Sequence, residues 1–209
     1  MVENKTVINM INRPLFMDFM LFNYKGNYFI KVSVLSMFME IFAKGKRGKI
    51  FLLGKVAIKY FYDWDRALNE AEWLLKLNAK GIGPKLLYYS SDFVAYEFVE
   101  GEMIKNFVGD VKPVLVSVLE QCFIMDKMKV NKLEMHHPLK HVLIGSKIVM
   151  IDFERCYYTL KPKNVSQFCE YIARVLGIER DELIKLVRQY KKGYLKKDFL
   201  KIVSYVRAC

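Results

Sequence analysis

The spacing of apolar positions along the chain changes near residue 100. Before that point, short apolar runs separated by turn residues predict strands; after it, apolar residues recur at helical spacing. We therefore expect three parts: an N-terminal extension at 1–36, a strand-rich half at 37–100 and a helix-rich half at 101–209. The order of elements predicts an α+β protein.

The strand-rich half is predicted to be a small sheet that carries one helix. Val56–Phe61 is rich in β-branched and aromatic residues, which favour strands. A helix is predicted from Asp65 to Ala79, with Asp65 capping its first turn and Gly81 following its end. The remaining predicted strands lie within 37–62, at 85–89 and at 93–98, and the extension is predicted to form a hairpin within 14–35 around a turn at 25–27.

The helix-rich half begins with a long periodic segment at 111–129. Two short apolar runs, 141–144 and 147–151, predict a tight hairpin across Gly145-Ser146. From about Val165 to the end the pattern is mostly helical.

Composition favours a folded protein without a membrane span. Apolar residues make up 53% of the chain, which is enough for a packed core. No stretch approaches the roughly 18 to 20 uninterrupted apolar residues that a span requires, and charges interrupt the N-terminal apolar segment, which argues against a signal peptide. Four scattered cysteines without a CxxC pair favour reduced, mostly buried thiols. We expect a cytoplasmic protein.

The net charge of +12 indicates a surface that attracts phosphate, whether in a nucleotide, RNA or a ribosome. Lysine runs at 44–49 and 191–197 supply much of this charge. A lysine-rich solvated surface, as heat-adapted proteins have, explains the same charge equally well.

Two features of the strand-rich half are typical of a nucleotide site. The stretch 45–50 (GKRGKI) contains two glycines, which let a loop bring backbone N–H groups against phosphate oxygens. Strand alternation places Ala57 and Lys59 on one face, leaving room for a flat base and directing an ammonium group at its phosphates. Taken alone, the glycine-containing stretch is more typical of an ordinary basic hairpin, and Lys59 of an exposed strand lysine.

Two carboxylates extend this pattern. Glu70 falls on the apolar stripe of the predicted helix, where an unpaired carboxylate would be costly, so we expect it to pair with Lys59; Glu72 is the second choice. Asp152 follows an apolar strand and is placed to present oxygen ligands to Mg²⁺, although an aspartate at a strand end is often only a turn residue.

In this order the four features resemble the protein-kinase-like superfamily, especially its small atypical members such as the Rio kinases and the KEOPS-complex kinase. A group of archaeal proteins classed as serine/threonine kinases is more similar still. The resemblance covers about residues 37–176 and implies a two-lobed fold, with a small antiparallel sheet and one helix in the first lobe and a reduced, mostly helical second lobe. It also implies ATP and Mg²⁺ as cofactors, with nucleotide contacts from Gly45, Gly48, Ile50, Ala57, Lys59, Glu70, Tyr96, Glu97 and Val99.

The resemblance assigns further roles by position. The stretch 96–99 (YEFV) matches the hinge, where backbone groups of Glu97 and Val99 would hold adenine. The stretch 152–154 (DFE) matches the metal-binding DFG motif, with Glu154 in place of the glycine.

The catalytic loop departs from the family pattern. Where H-R-D-x-x-x-x-N is expected, the best alignment places His136 at the catalytic aspartate and His141 at the metal-binding asparagine. A neutral imidazole can accept a hydroxyl proton but is a poor ligand for Mg²⁺. Glu134 is the acid if the alignment shifts by a turn, and Lys140 is placed to stabilise charge on the transferred phosphate. The alternative is that both histidines only maintain the shape of the loop.

The segment after the DFG-like motif is short and contains no Ala-Pro-Glu sequence, so the usual peptide-docking platform is not expected. The leading hypothesis is an ATP- and Mg²⁺-dependent phosphotransferase related to atypical serine/threonine kinases, with a protein as the expected acceptor. A nucleotide-binding pseudokinase that acts as a scaffold or switch is the first alternative. An RNA- or ribosome-associated factor is the second, and an antibiotic-phosphotransferase type of kinase ranks lower.

Overall fold

The computed structural model describes residues 41–209 in full and, in the N-terminal part, the backbone of two strands. The chain forms two compact units, Met1–Glu40 and Ile41–Cys209. In the first unit, β1 (Met20–Tyr24) pairs antiparallel with β2 (Asn27–Lys31). The predicted turn at residues 25 and 26, the rest of the extension at 1–36 and residues 37–40 of the next predicted strand lie outside the described residues.

The strand-rich half of the second unit is a five-stranded antiparallel sheet. In sheet order its strands are β3 (Ile41–Lys44), β4 (Gly48–Leu53), β5 (Val56–Phe61), β7 (Phe93–Glu97) and β6 (Leu86–Tyr89). β5 has the predicted bounds because its β-branched and aromatic residues pack on both faces of a central strand.

Helix α1 (Trp64–Asn78) packs against β5, β6 and β7. Its cap is Asp63, whose side chain accepts a hydrogen bond from the N–H of Asp65 at 3.2 Å, so the predicted cap at Asp65 is wrong. The helix begins one residue earlier than predicted because the carboxylate at 63 reaches a first-turn N–H that the predicted start would leave unpaired. Gly81, with φ of 70°, lies in the left-handed region just beyond the helix end.

The second half contains four helices in the described part of the chain: α2 (Val111–Lys127), α3 (Asn164–Leu176), α4 (Arg180–Lys191) and α5 (Lys196–Ala208). Its short strands are β8 (Glu102–Met103), β9 (Val130–Asn131), β10 (Val142–Ile144), β11 (Ile148–Met150) and β12 (Tyr157–Tyr158). β10 lies between β11 and β8, and β12 pairs with β9. The α+β class predicted from the sequence is confirmed.

A buried carboxylate joins three helices of this half. Asp126, at the end of α2, accepts hydrogen bonds from the backbone N–H (3.1 Å) and side-chain amide (2.8 Å) of Asn164, and from the hydroxyl of Tyr190 (3.0 Å). The N–H of Val165 donates to it at 3.4 Å. We call these four residues the Asp126 anchor; burial raises the pKa of Asp126 to about 6, although the hydrogen bonds oppose this rise.

The two halves of the second unit come very close at a pair of glycines. A Cβ at Gly101 would lie 2.7 Å from the carbonyl oxygen of Ile144, and one at Gly145 would lie 2.1 Å from that of Glu100. Only glycine fits at either position, so the linker between the halves is packed directly on the β10–β11 turn.

Among the described residues, no helix combines the length and the apolar character needed to cross a membrane. The four cysteines are unpaired; Cys122, Cys156 and Cys169 are buried, whereas Cys209 is exposed.

Candidate functional site

A single ammonium group lies among three carboxylates between the two halves. The Nζ atom of Lys59 is 2.7 Å from Glu70 Oε2, 2.7 Å from Asp152 Oδ1 and 3.3 Å from Glu154 Oε2. We call these four residues the charge cluster. The structure therefore brings together the lysine, the helix glutamate and the strand-end aspartate that the sequence singled out.

Local structure explains how these side chains meet. On β5, alternation directs Lys59 to the same face as the buried Ala57 and Phe61. On α1, Glu70 lies on the apolar face with only 1% of its side chain exposed, and it also accepts a hydrogen bond from the N–H of Phe153 at 3.4 Å. Glu72, the second choice for the partner of Lys59, is exposed.

In the charge cluster, burial and nearby opposite charges shift the pKa values in opposing directions. Burial alone would lower the pKa of Lys59, but Glu70 and Asp152 outweigh it and raise that pKa, so the ammonium is charged. Burial raises the pKa of Glu70 despite the nearby ammonium. For Asp152, burial is outweighed by Lys59 and Lys132, which lower its pKa to about 2.

Lys132 is a site residue that the sequence interpretation missed. Its side chain is buried, its ammonium donates a hydrogen bond to the backbone carbonyl of Asp152, and it lies 5.1 Å from the ring centre of Phe153. Asp152 has φ of 68°, a left-handed conformation that few non-glycine residues adopt, although aspartate does so more readily than most. Lys132 therefore helps to fix the backbone that aims the Asp152 carboxylate. The stretch 129–134 (KVNKLE) mixes charged and apolar residues, so the sequence does not distinguish this lysine from a surface one.

Glu134 and His141 lie next to the charge cluster. The Nε2 atom of His141 is 3.5 Å from Asp152 Oδ2 and 3.8 Å from Glu134 Oε2. Glu134 is paired with Arg155 and, like Asp152, has a left-handed backbone, with φ of 69°. Burial and the charge of Lys132 lower the pKa of His141, which keeps its imidazole neutral.

The other two predicted catalytic residues show no contact with the charge cluster among residues 41–209. The ring of His136 packs against that of His137, with centroids 4.8 Å apart, and its carbonyl accepts a hydrogen bond from Arg174. Lys140 is exposed and makes no ion pair in this range. Of the three predicted catalytic residues, Glu134 is the one that lies beside His141, a neighbour of the cluster.

Close packing requires only one of the two loop glycines. A Cβ at Gly48 would lie 2.0 Å from the carbonyl oxygen of Tyr60, so the close approach of β4 and β5 already requires glycine there. A Cβ at Gly45 would meet nothing closer than 3.8 Å, and its N–H closes the turn on the carbonyl of Gly48 at 2.9 Å. The loop reaches the charge cluster through Arg47, whose Nη1 atom is 2.9 Å from Glu154 Oε1.

The predicted hinge borders the sheet. Tyr96 pairs with Ala57 across β5 and β7, and burial raises its pKa. The N–H of Glu97 donates to the carbonyl of Lys85 at 2.9 Å, whereas the N–H of Val99 has no hydrogen-bond partner among the described residues. Ile50, opposite Lys59 on β4, is half-buried. One hinge donor is thus available to a ligand.

The donor set fits a hard divalent cation in part. Carboxylate oxygens of Glu70, Asp152 and Glu154 lie within 4.8 Å of one another, and oxygen ligands suit Mg²⁺. The ammonium of Lys59 already occupies the space between them. The oxygen available to a cation is therefore Asp152 Oδ2, on the side of His141, whose nitrogen adds little affinity for Mg²⁺.

Solved structures share this arrangement of elements. The Rio2 kinase of Chaetomium thermophilum, crystallised as an ADP/Mg²⁺-phosphoaspartate complex, superposes with a TM-score of 0.53 at 12% identity over 76% of this chain. Two structures of WbdD, one described as a bifunctional kinase-methyltransferase, superpose with a TM-score of 0.61 at 16% and 15% identity, each over 78% of this chain. The fold is protein-kinase-like.

The likeness is one of fold. This chain spans 66% of the Rio2 chain and 44% and 43% of the two WbdD chains. No protein-family model and no curated protein sequence matches it. The kinase-like, two-lobed architecture predicted from the sequence is thus confirmed.

Proposed function

We propose that this protein is an ATP- and Mg²⁺-dependent phosphotransferase of the atypical serine/threonine kinase type. The observation that carries the proposal is the ammonium of Lys59, held 2.7 Å from both Glu70 and Asp152 in a kinase-like fold. An ammonium fixed between carboxylates of two different elements is positioned to bind the phosphates of a nucleotide. The closer resemblance to archaeal and KEOPS-complex kinases remains a prediction.

Each residue has a separate task in this proposal. Lys59 binds the phosphates, Glu70 holds Lys59, and Asp152 directs its Oδ2 atom towards the cation. Adenine lies against Ala57 and Ile50 and is bound by backbone groups of the hinge at 96–99, including the available N–H of Val99. When bound, Mg²⁺ neutralises charge on the phosphates.

Glu134 is the proposed proton acceptor. As an acceptor hydroxyl oxygen bonds to the γ-phosphorus, the bond between that phosphorus and the bridging oxygen breaks, ADP leaves, and the hydroxyl proton passes to the Glu134 carboxylate. Its position beside His141, which contacts Asp152, supports this role over that of His136. We propose a folded protein as the acceptor, since the segment 153–163 is short before α3 begins.

A nucleotide-binding pseudokinase is the second candidate. The observation that favours it is His141, an imidazole where the kinase pattern has a metal-binding asparagine. In that case the ATP-loaded protein acts as a scaffold or switch. RNA or ribosome contact through the basic surface, with a net charge of +12, stays a separate prediction.

The deciding experiment measures ATP binding and γ-phosphate transfer side by side on purified protein. The variants are Lys59→Met and Asp152→Asn, with Lys185→Ala, an exposed helix lysine, as the control. We expect Lys59→Met to lose ATP binding, and Asp152→Asn to bind ATP but transfer phosphate about 100-fold more slowly. Binding without transfer in the parent protein would favour the pseudokinase. A parent protein that binds no ATP would exclude both functions.

A further inference from the structure

Arg47 forms a bridge from the glycine-containing turn to Glu154 of the charge cluster. It lies between β3 and β4, and its Nη1 atom is 2.9 Å from Glu154 Oε1. The Glu154 side chain is 3% exposed, whereas that of Arg47 is 39% exposed. The bridge thus joins a fixed, buried carboxylate to a guanidinium on an accessible turn.

Glu154 is held in place from several sides. Its side chain also lies 3.3 Å from Arg66 Nη1 and 3.3 Å from Lys59 Nζ. Its backbone carbonyl accepts a hydrogen bond from the side-chain amide of Asn69 at 2.8 Å. Three cations therefore converge on one carboxylate, at the position where the DFG pattern has a glycine.

The three cations differ in what else they bind. Lys59 is also paired with Glu70 and Asp152, and Arg66 is also paired with Asp63 at 2.9 Å. Within residues 41–209, Arg47 has no other carboxylate partner. Arg47 is therefore the cation that loses its ion pair entirely when it leaves Glu154, and the one whose backbone lies on a turn.

We propose that Arg47 is a phosphate-binding residue that exchanges Glu154 for the terminal phosphate of the nucleotide, and that Glu154 is the counter-ion that holds it when no nucleotide is bound. This inference rests on the proposed function and adds a residue to the site. A guanidinium group pairs well with phosphate, since its parallel N–H groups match two phosphate oxygens. The terminal phosphate carries more negative charge than the carboxylate, so it competes successfully for the same arginine.

The exchange has an asymmetric consequence. Arg47 contributes to the affinity for ATP, because the arginine gains a phosphate. Glu154 opposes that affinity, because its pair with Arg47 must break first. Removing the Arg47 side chain should therefore weaken nucleotide binding, and removing the Glu154 charge should strengthen it. If the pair were purely structural, both substitutions should shift the affinity in the same direction.

The test compares binding of ATP, ADP and AMP, each with Mg²⁺, by isothermal titration calorimetry. The variants are Arg47→Ala and Glu154→Gln. Lys46→Ala is the matched control, since it removes one positive charge from the adjacent, exposed position of the same turn. We expect Arg47→Ala to weaken ATP binding about tenfold and to weaken ADP binding less. Lys46→Ala should change the affinity for either nucleotide by less than about threefold. Glu154→Gln should strengthen ATP binding a few-fold.

Equal effects of Arg47→Ala and Lys46→Ala on ATP affinity would overturn the exchange. Weaker ATP binding by Glu154→Gln would also overturn it, provided that the variant is as stable as the parent protein in urea. If Glu154→Gln does not fold, the difference between ATP and ADP in Arg47→Ala decides. A parent protein that binds ATP through Lys59, combined with an unchanged Arg47→Ala variant, rejects this inference and leaves the proposed function intact. A parent that binds no nucleotide rejects both.

Discussion

The Asp126 anchor and the charge cluster both bury carboxylates, but they surround them with different partners. Asp126 receives only neutral donors: two groups of Asn164, the N–H of Val165 and the hydroxyl of Tyr190. In the charge cluster, Glu70 and Asp152 face the ammonium of Lys59. The first arrangement satisfies one charge with dipoles inside one half of the molecule, and the second balances several charges across both halves.

This difference separates a structural carboxylate from a candidate ligand site. The donors of the anchor come from α3 and α4 and have no exposed face through which a ligand could replace them. In the cluster, 31% of the Asp152 side chain is exposed, so a charged ligand can reach it and compete for its cationic partners. Burial alone therefore does not mark a carboxylate as a candidate ligand site; charged partners at an accessible edge favour that interpretation.

Removal of the anchor carboxylate should have the largest effect on stability. Asp126→Ala removes the acceptor of four buried hydrogen bonds, so we expect the free energy of unfolding to fall by about 3 to 5 kcal/mol. Urea unfolding at neutral pH measures this loss, with Glu120→Ala, an exposed position on the same helix, as the control. ATP affinity of the folded fraction should not change. A loss below about 1 kcal/mol would show that the anchor is not structural.

Asp126 and Asp152 should respond to pH with opposite sign. The pKa of Asp126 is about 6 in the folded protein against about 4 in an unfolded chain, so its contribution is complete below about pH 4 and is lost as pH rises through 6. The corresponding slope reaches about −1.4 kcal/mol per pH unit. The pKa of Asp152 is about 2, so its contribution is present above about pH 4 and is lost as pH falls towards 2.

Urea unfolding from pH 2 to pH 7 distinguishes the two contributions. Asp126→Asn should abolish the fall in the free energy of unfolding between pH 4 and pH 6, whatever its effect on the absolute stability. Asp152→Asn should reduce the loss of stability below pH 4 and leave the fall in stability between pH 4 and pH 6 unchanged. Identical pH profiles for the two variants would contradict the assignment of neutral donors to one region and charged partners to the other.

The smallest effect is expected from the same substitution made in both regions. Tyr190→Phe removes one hydrogen bond to a carboxylate and should cost about 1.5 kcal/mol. Tyr96→Phe, beside the charge cluster, should change stability by less than about 0.5 kcal/mol, because the Tyr96 hydroxyl has no hydrogen-bond partner among the described residues. Thermal unfolding of both variants measures these losses of stability. Equal losses in the two variants would contradict the proposed difference between the Asp126 anchor and the charge cluster.

Local patterns predicted much of the fold. The run of β-branched and aromatic residues at 56–61 predicted β5, and the periodicity at 111–129 predicted α2 to within two residues at its end. The pairing of Lys59 with Glu70 is also predictable, because a carboxylate on the apolar stripe of a helix is costly unless a positive charge lies beside it. These inferences depend on neighbours close along the chain.

What the sequence did not indicate depends on contacts between distant residues. The Asp126 anchor joins positions up to 64 residues apart, and Arg47 meets Glu154 across 107 residues. Lys132 is buried against Asp152, yet nothing in its own segment distinguishes it from a surface lysine. The division of the C-terminal region into three helices was also not predicted, because periodicity alone did not locate the short connections.

The close packing at Gly101 and Gly145 limits substitution where the two halves of the second unit meet. Backbone atoms of the linker and of the β10–β11 turn occupy the space that a Cβ would need at either position. A larger side chain at either glycine should therefore push the linker away from the β10–β11 turn and change the spacing of the two halves, without touching the charge cluster.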